Sequence, residues 1–249
     1  MSRRLDGGSQ GAQVAAWPAP ERGLVVLCGS LGAPSAMWDA QLPALAGREV
    51  LRVDHPGHGG APVEDVHDIG DLAARVLDAA GDRRFAFVGL SLGGAVGMRL
   101  ALDAPDRLEK LVLACTATRF GEPAQWLERA ATVRAHGLGV IVDAVLARWF
   151  TPAFENVDAY REHFLNIDPE GYARCCEALS RFDLREELGA ISTPTLAIAA
   201  TEDPTTPPGV VEGVADGIAG ARFEVLADAA HLVNVERPDD FNRLLEEFL

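Results

Sequence analysis

Lysine is almost missing from this 249-residue chain, with Lys110 the only one, so arginine carries nearly all of its positive charge. Lys+Arg total 22 against 37 Asp+Glu, leaving a net charge of -15. A field of that sign repels polyanions, which argues against a nucleic-acid partner. No apolar run approaches the ~20 residues of a membrane span. Arg3 and Arg4 are not followed by the apolar stretch that a signal peptide needs, so a cytoplasmic location is expected. The four cysteines, Cys28, Cys115, Cys175 and Cys176, form no C-x-x-C pair and no Cys/His spacing suited to zinc or redox chemistry. Free thiols in a reducing compartment are expected, with a helix over 172–179 pointing the adjacent Cys175 and Cys176 apart. No metal site is expected.

Apolar residues, at 48%, are abundant enough for one large domain with a buried core. Short, continuously apolar runs occur at 23–28, 49–53, 84–89, 108–114, 194–199 and 221–226. Continuous rather than alternating hydrophobicity predicts strands covered on both faces, hence a parallel sheet. Helical periodicity fills the gaps at 68–80, 92–104 and 238–249, which gives a doubly wound α/β architecture. Between 119 and 192 strand signals vanish and aromatic residues such as Trp126, Trp149, Phe164 and Tyr172 appear in helical stretches. This segment is expected to be an inserted helical cap on a core of 13–118 and 193–249. Residues before about 13 are expected to form a mobile tail.

The run Phe87-Val-Gly-Leu-Ser91-Leu-Gly-Gly94 joins a strand directly to a helix. A serine on so sharp a turn needs small neighbours, because its backbone is strained and the next helix packs close. The nucleotide-binding patterns G-x-x-x-x-G-K-[ST] and G-x-G-x-x-G do not fit this turn. Ser91 is therefore the candidate nucleophile, and it needs a base to take its proton. Of six histidines only His231 follows the last strand, which suits the chain order serine, acid, histidine. The acid should leave the strand ending near Ala199, where Asp203 is the assignment and Glu202 its rival. Backbone N–H groups of Leu92, after the nucleophile, and Leu31, after the first strand, are the expected oxyanion donors. The turn Asp54-His-Pro-Gly-His-Gly59 carries two histidines read as structural rather than catalytic.

Together these residues resemble the α/β-hydrolase superfamily over nearly the whole chain. The wording is similar to that of the 3-oxoadipate enol-lactonases of the β-ketoadipate pathway. That likeness rests on Ser30-Leu-Gly with Met37-Trp-Asp-Ala-Gln-Leu-Pro43, Asp54-His-Pro-Gly-His-Gly59 and Gly89-Leu-Ser-Leu-Gly-Gly94. It extends to the cap words Arg148-Trp-Phe-Thr-Pro152 and Asp168-Pro-Glu-Gly-Tyr172, and to Asp203-Pro-Thr-Thr-Pro207 and His231-Leu-Val-Asn-Val-Glu236. The resemblance implies an α/β-hydrolase fold and a cofactor-free enzyme of aromatic-compound catabolism that opens a small enol-lactone to 3-oxoadipate. In some relatives the domain is fused to a decarboxylase for the preceding step, which makes a decarboxylase the candidate pathway partner.

That substrate carries a carboxylate, so an acidic protein needs a local cation to receive it. Arg134 and Arg148 in the cap are the candidates, although most helical arginines are solvated or paired. Trp149 is expected to wall the pocket or to pack in the core. A broader carboxylesterase or small-lactone hydrolase, and a non-catalytic ligand-binding module on the same fold, remain alternatives. A dehalogenase would want aspartate in place of Ser91.

Overall fold

The computed structural model describes residues 23–249; the expected N-terminal tail lies outside them. Six strands form one sheet in the order β2-β1-β3-β4-β5-β6: β1 Leu24–Cys28, β2 Glu49–Val53, β3 Phe85–Leu90, β4 Leu108–Ala114, β5 Thr195–Ala200 and β6 Arg222–Leu226. All neighbours pair in parallel. β1, β3 and β5 are buried at every position, as their unbroken apolar runs require, while the edge strands β2 and β6 are only partly covered.

Helices α1 (Ile69–Ala80) and α2 (Leu92–Asp103) pack against each other, and α2 lies over β3 and β4. The apolar face of α1 places Ile69, Leu72, Ala73 and Val76 in the core, and its N-cap Asp68 accepts the Asp71 N–H. Helix α7 (Pro208–Gly217) covers β5 and β6, the short α8 runs from Val233 to Glu236, and α9 (Pro238–Phe248) closes the chain.

Between β4 and β5 the chain is helical throughout its regular elements: α3 Pro123–His136, α4 Val142–Trp149, α5 Val157–Leu165 and α6 Pro169–Ser180. Asp168 caps α6 by accepting the N–H groups of Glu170 and Gly171. Trp149, Phe164 and Tyr172 of these helices are buried in the same core as the sheet. Each such aromatic contributes about 1.5–3 kcal/mol by leaving water, so the insertion is fastened to the sheet by burial.

The chain leaves β1 toward β2 on one side and continues through β3 on the other, so the strand order reverses between β1 and β3. In open parallel sheets ligands bind beyond the carboxyl ends of strands at such a switch point. Cys28 ends β1 there, Leu90 ends β3, and the segments that follow them carry Leu31 and Ser91.

Candidate active site

Ser91 stands between β3 and α2 with φ 58° and ψ -112°, a backbone conformation that costs a non-glycine residue about 1–3 kcal/mol and persists only when its surroundings enforce it. The enforcement is visible. The Ser91 N–H donates to Ala114 O at 2.9 Å, and the buried Thr116 hydroxyl donates to Ser91 O at 2.8 Å. The turn also needs its glycines, because a Cβ on Gly89 would lie 2.2 Å from Gly93 O and one on Gly93 would lie 2.1 Å from Cys28 O.

His231 follows β6 and is buried, and its Nδ1 lies 2.8 Å from Asp203 Oδ2. Asp203, just beyond β5, also accepts from the Thr205 and Thr206 N–H groups at 2.8 and 3.1 Å and from the Thr206 hydroxyl at 2.6 Å. Burial pushes its carboxyl up, but the His231 ring and these donors outweigh that and hold it at about 2. An ionised Asp203 accepts the Nδ1–H and leaves Nε2 of His231 as the basic atom. Glu202, by contrast, is exposed.

Ser91 and His231 line one cavity of about 370 Å³ together with Leu31, Arg148 and Trp149. Among the described residues no hydrogen bond joins the Ser91 hydroxyl to His231. Such contacts commonly tighten only with substrate bound. Leu92 opens α2, so its N–H has no partner one turn back, and the Leu31 N–H has no acceptor among the described residues. Both N–H groups therefore remain available at the switch point.

The histidine loop is tied to the inserted helices. Leu232 N–H donates to Trp149 O at 3.0 Å, and the Glu236 carboxylate accepts from the Ala230 N–H at 2.7 Å and from the Thr151 N–H and hydroxyl at 2.9 and 2.7 Å.

The two arginines singled out in the sequence part company. Arg148 lines the cavity and has no ion-pair partner among the described residues. Arg134 does not line it. Its guanidinium is engaged by Glu170, at 2.7 and 3.0 Å, and by Glu177, strapping α3 to α6 on the outer surface. Those carboxylates hold the Arg134 pKa above its ordinary value. A guanidinium so occupied is not free for a ligand, which corrects the expectation for Arg134. The residue that sequence reasoning missed is Arg129, which lines the cavity, lies 4.9 Å from the Trp126 ring centroid and has no carboxylate partner among the described residues. The Trp126/Arg129 pair, three apart on a helix, was the available signal. Trp149 is both cavity wall and core, 4% exposed and edge-on to Phe164.

Cys115, Asp203 and His231 are the one group among the described residues whose donor atoms lie close enough to suggest a metal, all within 4.8 Å of one another. The Asp203 and His231 atoms are already bonded to each other, and burial raises the Cys115 thiol well above its ordinary pKa, whereas a zinc ligand must be a thiolate. The donor set suits a hydrogen-bonded imidazole–carboxylate pair. All four cysteines are free and buried. No described helix is long and apolar enough to cross a membrane.

A family model described as the alpha/beta hydrolase fold matches residues 23–238. The chain is 35% identical over 236 residues to 3-oxoadipate enol-lactonase 2 of Acinetobacter baylyi, covering 91% of this chain and 88% of that protein. It is 34% identical to RutD of Variovorax paradoxus, assigned as a carbamate hydrolase, covering 90% of this chain and 91% of the relative. The crystal structure of the enol-lactonase from Burkholderia xenovorans LB400 superposes with a TM-score of 0.87 at 38% identity, covering 98% of this chain and 94% of that one. With the matched span running from β1 into α9 and taking in the strained serine turn, this chain is a member of the α/β-hydrolase family.

Proposed function

We propose that the protein is a serine-nucleophile lactone hydrolase that opens an enol-lactone carrying a free carboxylate, 3-oxoadipate enol-lactone being the favoured substrate. The observation that carries this reading is the buried Asp203–His231 pair opening onto the same cavity as the strained Ser91, with Arg129 and Arg148, neither of them ion-paired among the described residues, in its wall. The relatives named as enol-lactonases support the choice of substrate.

In this mechanism His231 Nε2 removes the Ser91 hydroxyl proton and Ser91 Oγ attacks the lactone carbonyl. The Leu31 and Leu92 N–H groups hold the tetrahedral oxyanion. Collapse breaks the ring C–O bond, and the enol oxygen leaves with the proton that His231 took up, the enol then becoming the ketone. Water, deprotonated by His231, cleaves the acyl-enzyme and regenerates Ser91. Arg129 and Arg148 supply the local positive charge that an anionic substrate needs on a chain of net charge -15. Helices α3 to α6 act as a cap over the cavity, and the working location is the cytoplasm.

The RutD relative favours a second reading, hydrolysis of a wider range of small esters or carbamates with the same three side chains. A spectrophotometric assay with the enol-lactone, run beside p-nitrophenyl acetate and an alkyl carbamate, separates the two. Turnover of the lactone with kcat/KM at least about a hundredfold above the other substrates is expected, and Ser91→Ala should lower kcat by several orders of magnitude. Comparable rates on all three would leave the broader hydrolase, and failure of a fluorophosphonate to label Ser91 would leave a ligand-binding module.

A further inference from the structure

His55 and His58 lie in the turn after β2, buried and outside the cavity wall, so neither ring takes part in the chemistry proposed above. Both are nevertheless bonded to the segment that carries the Leu31 N–H. His58 Nε2 accepts the Gly32 N–H at 3.0 Å, and its Nδ1 donates to Pro56 O at 2.9 Å, which fixes one neutral tautomer. His55 Nε2 donates to Gly29 O at 2.9 Å. The same Gly29 carbonyl accepts the Gly93 N–H at 3.0 Å, so the loop after β1 is joined to the residue that follows Leu92.

We infer that His58 and His55 are positioning residues for the acyl-transfer site, holding the Gly29–Gly32 loop from its two ends so that the Leu31 and Leu92 N–H groups converge on one oxyanion. The loop is pressed from the other side as well. Gly32 has φ +92°, and a Cβ there would lie 2.7 Å from the Phe164 ring and 3.2 Å from Trp149, so the loop has little freedom to relax toward the inserted helices. Burial, reinforced by the neighbouring His55, keeps the His58 pKa down at about 3, which preserves Nε2 as an acceptor. An oxyanion donor works only when preaimed, and a shift of about 1 Å costs on the order of a hundredfold in rate.

The inference rests on the acyl-transfer reading but not on the choice of lactone, so it is tested with p-nitrophenyl acetate and with the rate of fluorophosphonate labelling, on the full chain. His58→Gln can place an amide oxygen near the Nε2 position; His58→Asn is one carbon too short, and His58→Leu offers no acceptor. The Asn and Leu variants should lose about 10- to 100-fold in kcat and in labelling rate with KM within about threefold, while Gln recovers most of the loss. Near-UV circular dichroism identifies folded variants, and the Gln and Asn pair suffices if Leu does not fold. Folded Gln and Asn variants with equal kcat, or a change confined to KM, would overturn the inference. A wild-type protein inert to both reagents would instead sink the hydrolase reading from which it starts, and the inference with it.

Discussion

Glu236 Oε1 accepts both the amide and the hydroxyl of Thr151, at 2.9 and 2.7 Å, across 85 residues of sequence. Its other oxygen holds Ala230, next to His231. Replacing Glu236 by Gln removes one acceptor and turns an NH2 group toward a backbone N–H. A stability loss of about 1.5–3 kcal/mol is expected, together with lower kcat because the histidine loop is released from the end of α4. Thermal melts and steady-state kinetics on Glu236→Gln check both, and an unchanged kcat would show that the bridge is structural only.

Asp203 and Glu202 are adjacent, yet only Asp203 reaches the imidazole. Asp203→Asn should cut kcat about ten-thousandfold by stabilising the wrong histidine tautomer, while Glu202→Gln stays within about twofold of wild type. A comparable loss in the Glu202 variant would refute this assignment.

Arg129→Ala should raise KM for an anionic lactone about 10- to 100-fold, the worth of a charge-assisted hydrogen bond, and leave p-nitrophenyl acetate nearly untouched. Arg134→Ala should do the opposite: no effect on KM and a stability change of about 0–1 kcal/mol that shrinks in high salt, as exposed ion pairs behave. Substrate profiles of the two variants, side by side, decide whether α3 presents Arg129 or Arg134 to the ligand.

His58 is buried neutral at about 3 against an ordinary value of 6.5, and burial lowers His55 in the same direction. The unfolded chain therefore binds more protons as pH falls below about 6.5, so these rings contribute stability that is complete above that pH and is lost on going down toward 3. The slope is at most about 1.4 kcal/mol per pH unit for each histidine. Asp203, lowered from an ordinary 3.8 to about 2, adds its own acid loss as pH falls through that interval. Urea midpoints should fall between pH 7.5 and 5, less steeply in His58→Gln; a flat profile would contradict the buried neutral state.

The sheet was legible because β1, β3, β4 and β5 are apolar along nearly their whole length, which only a doubly covered strand tolerates. The assignments at Ser91, Asp203 and His231 followed from chain order and turn chemistry, since each lies just beyond the carboxyl end of a strand. What lies on the inserted helices was harder to read. Arg129 and Arg134 are five residues apart on α3, hence on different faces, and α3 buries only Ala130 and Val133, too few apolar residues to say which face turns inward. The histidines at 55 and 58 looked structural in the sequence, but their partners at Gly29 and Gly32 are 26 residues away and became visible only when β1 and β2 were set side by side.

Gly57, with φ +76°, and Gly171 meet almost backbone to backbone: a Cβ on Gly57 would lie 2.9 Å from the Gly171 Cα, and one on Gly171 would lie 2.4 Å from Pro56 O. Asp168 N–H donates to Gly57 O at 2.9 Å beside them. A helix seated this way cannot settle any deeper, because its first turn has nothing compressible beneath it, and lifting that turn would break the Asp168–Gly57 hydrogen bond. A methyl group added at either glycine would therefore act as a wedge between the start of α6 and the turn that carries His55 and His58.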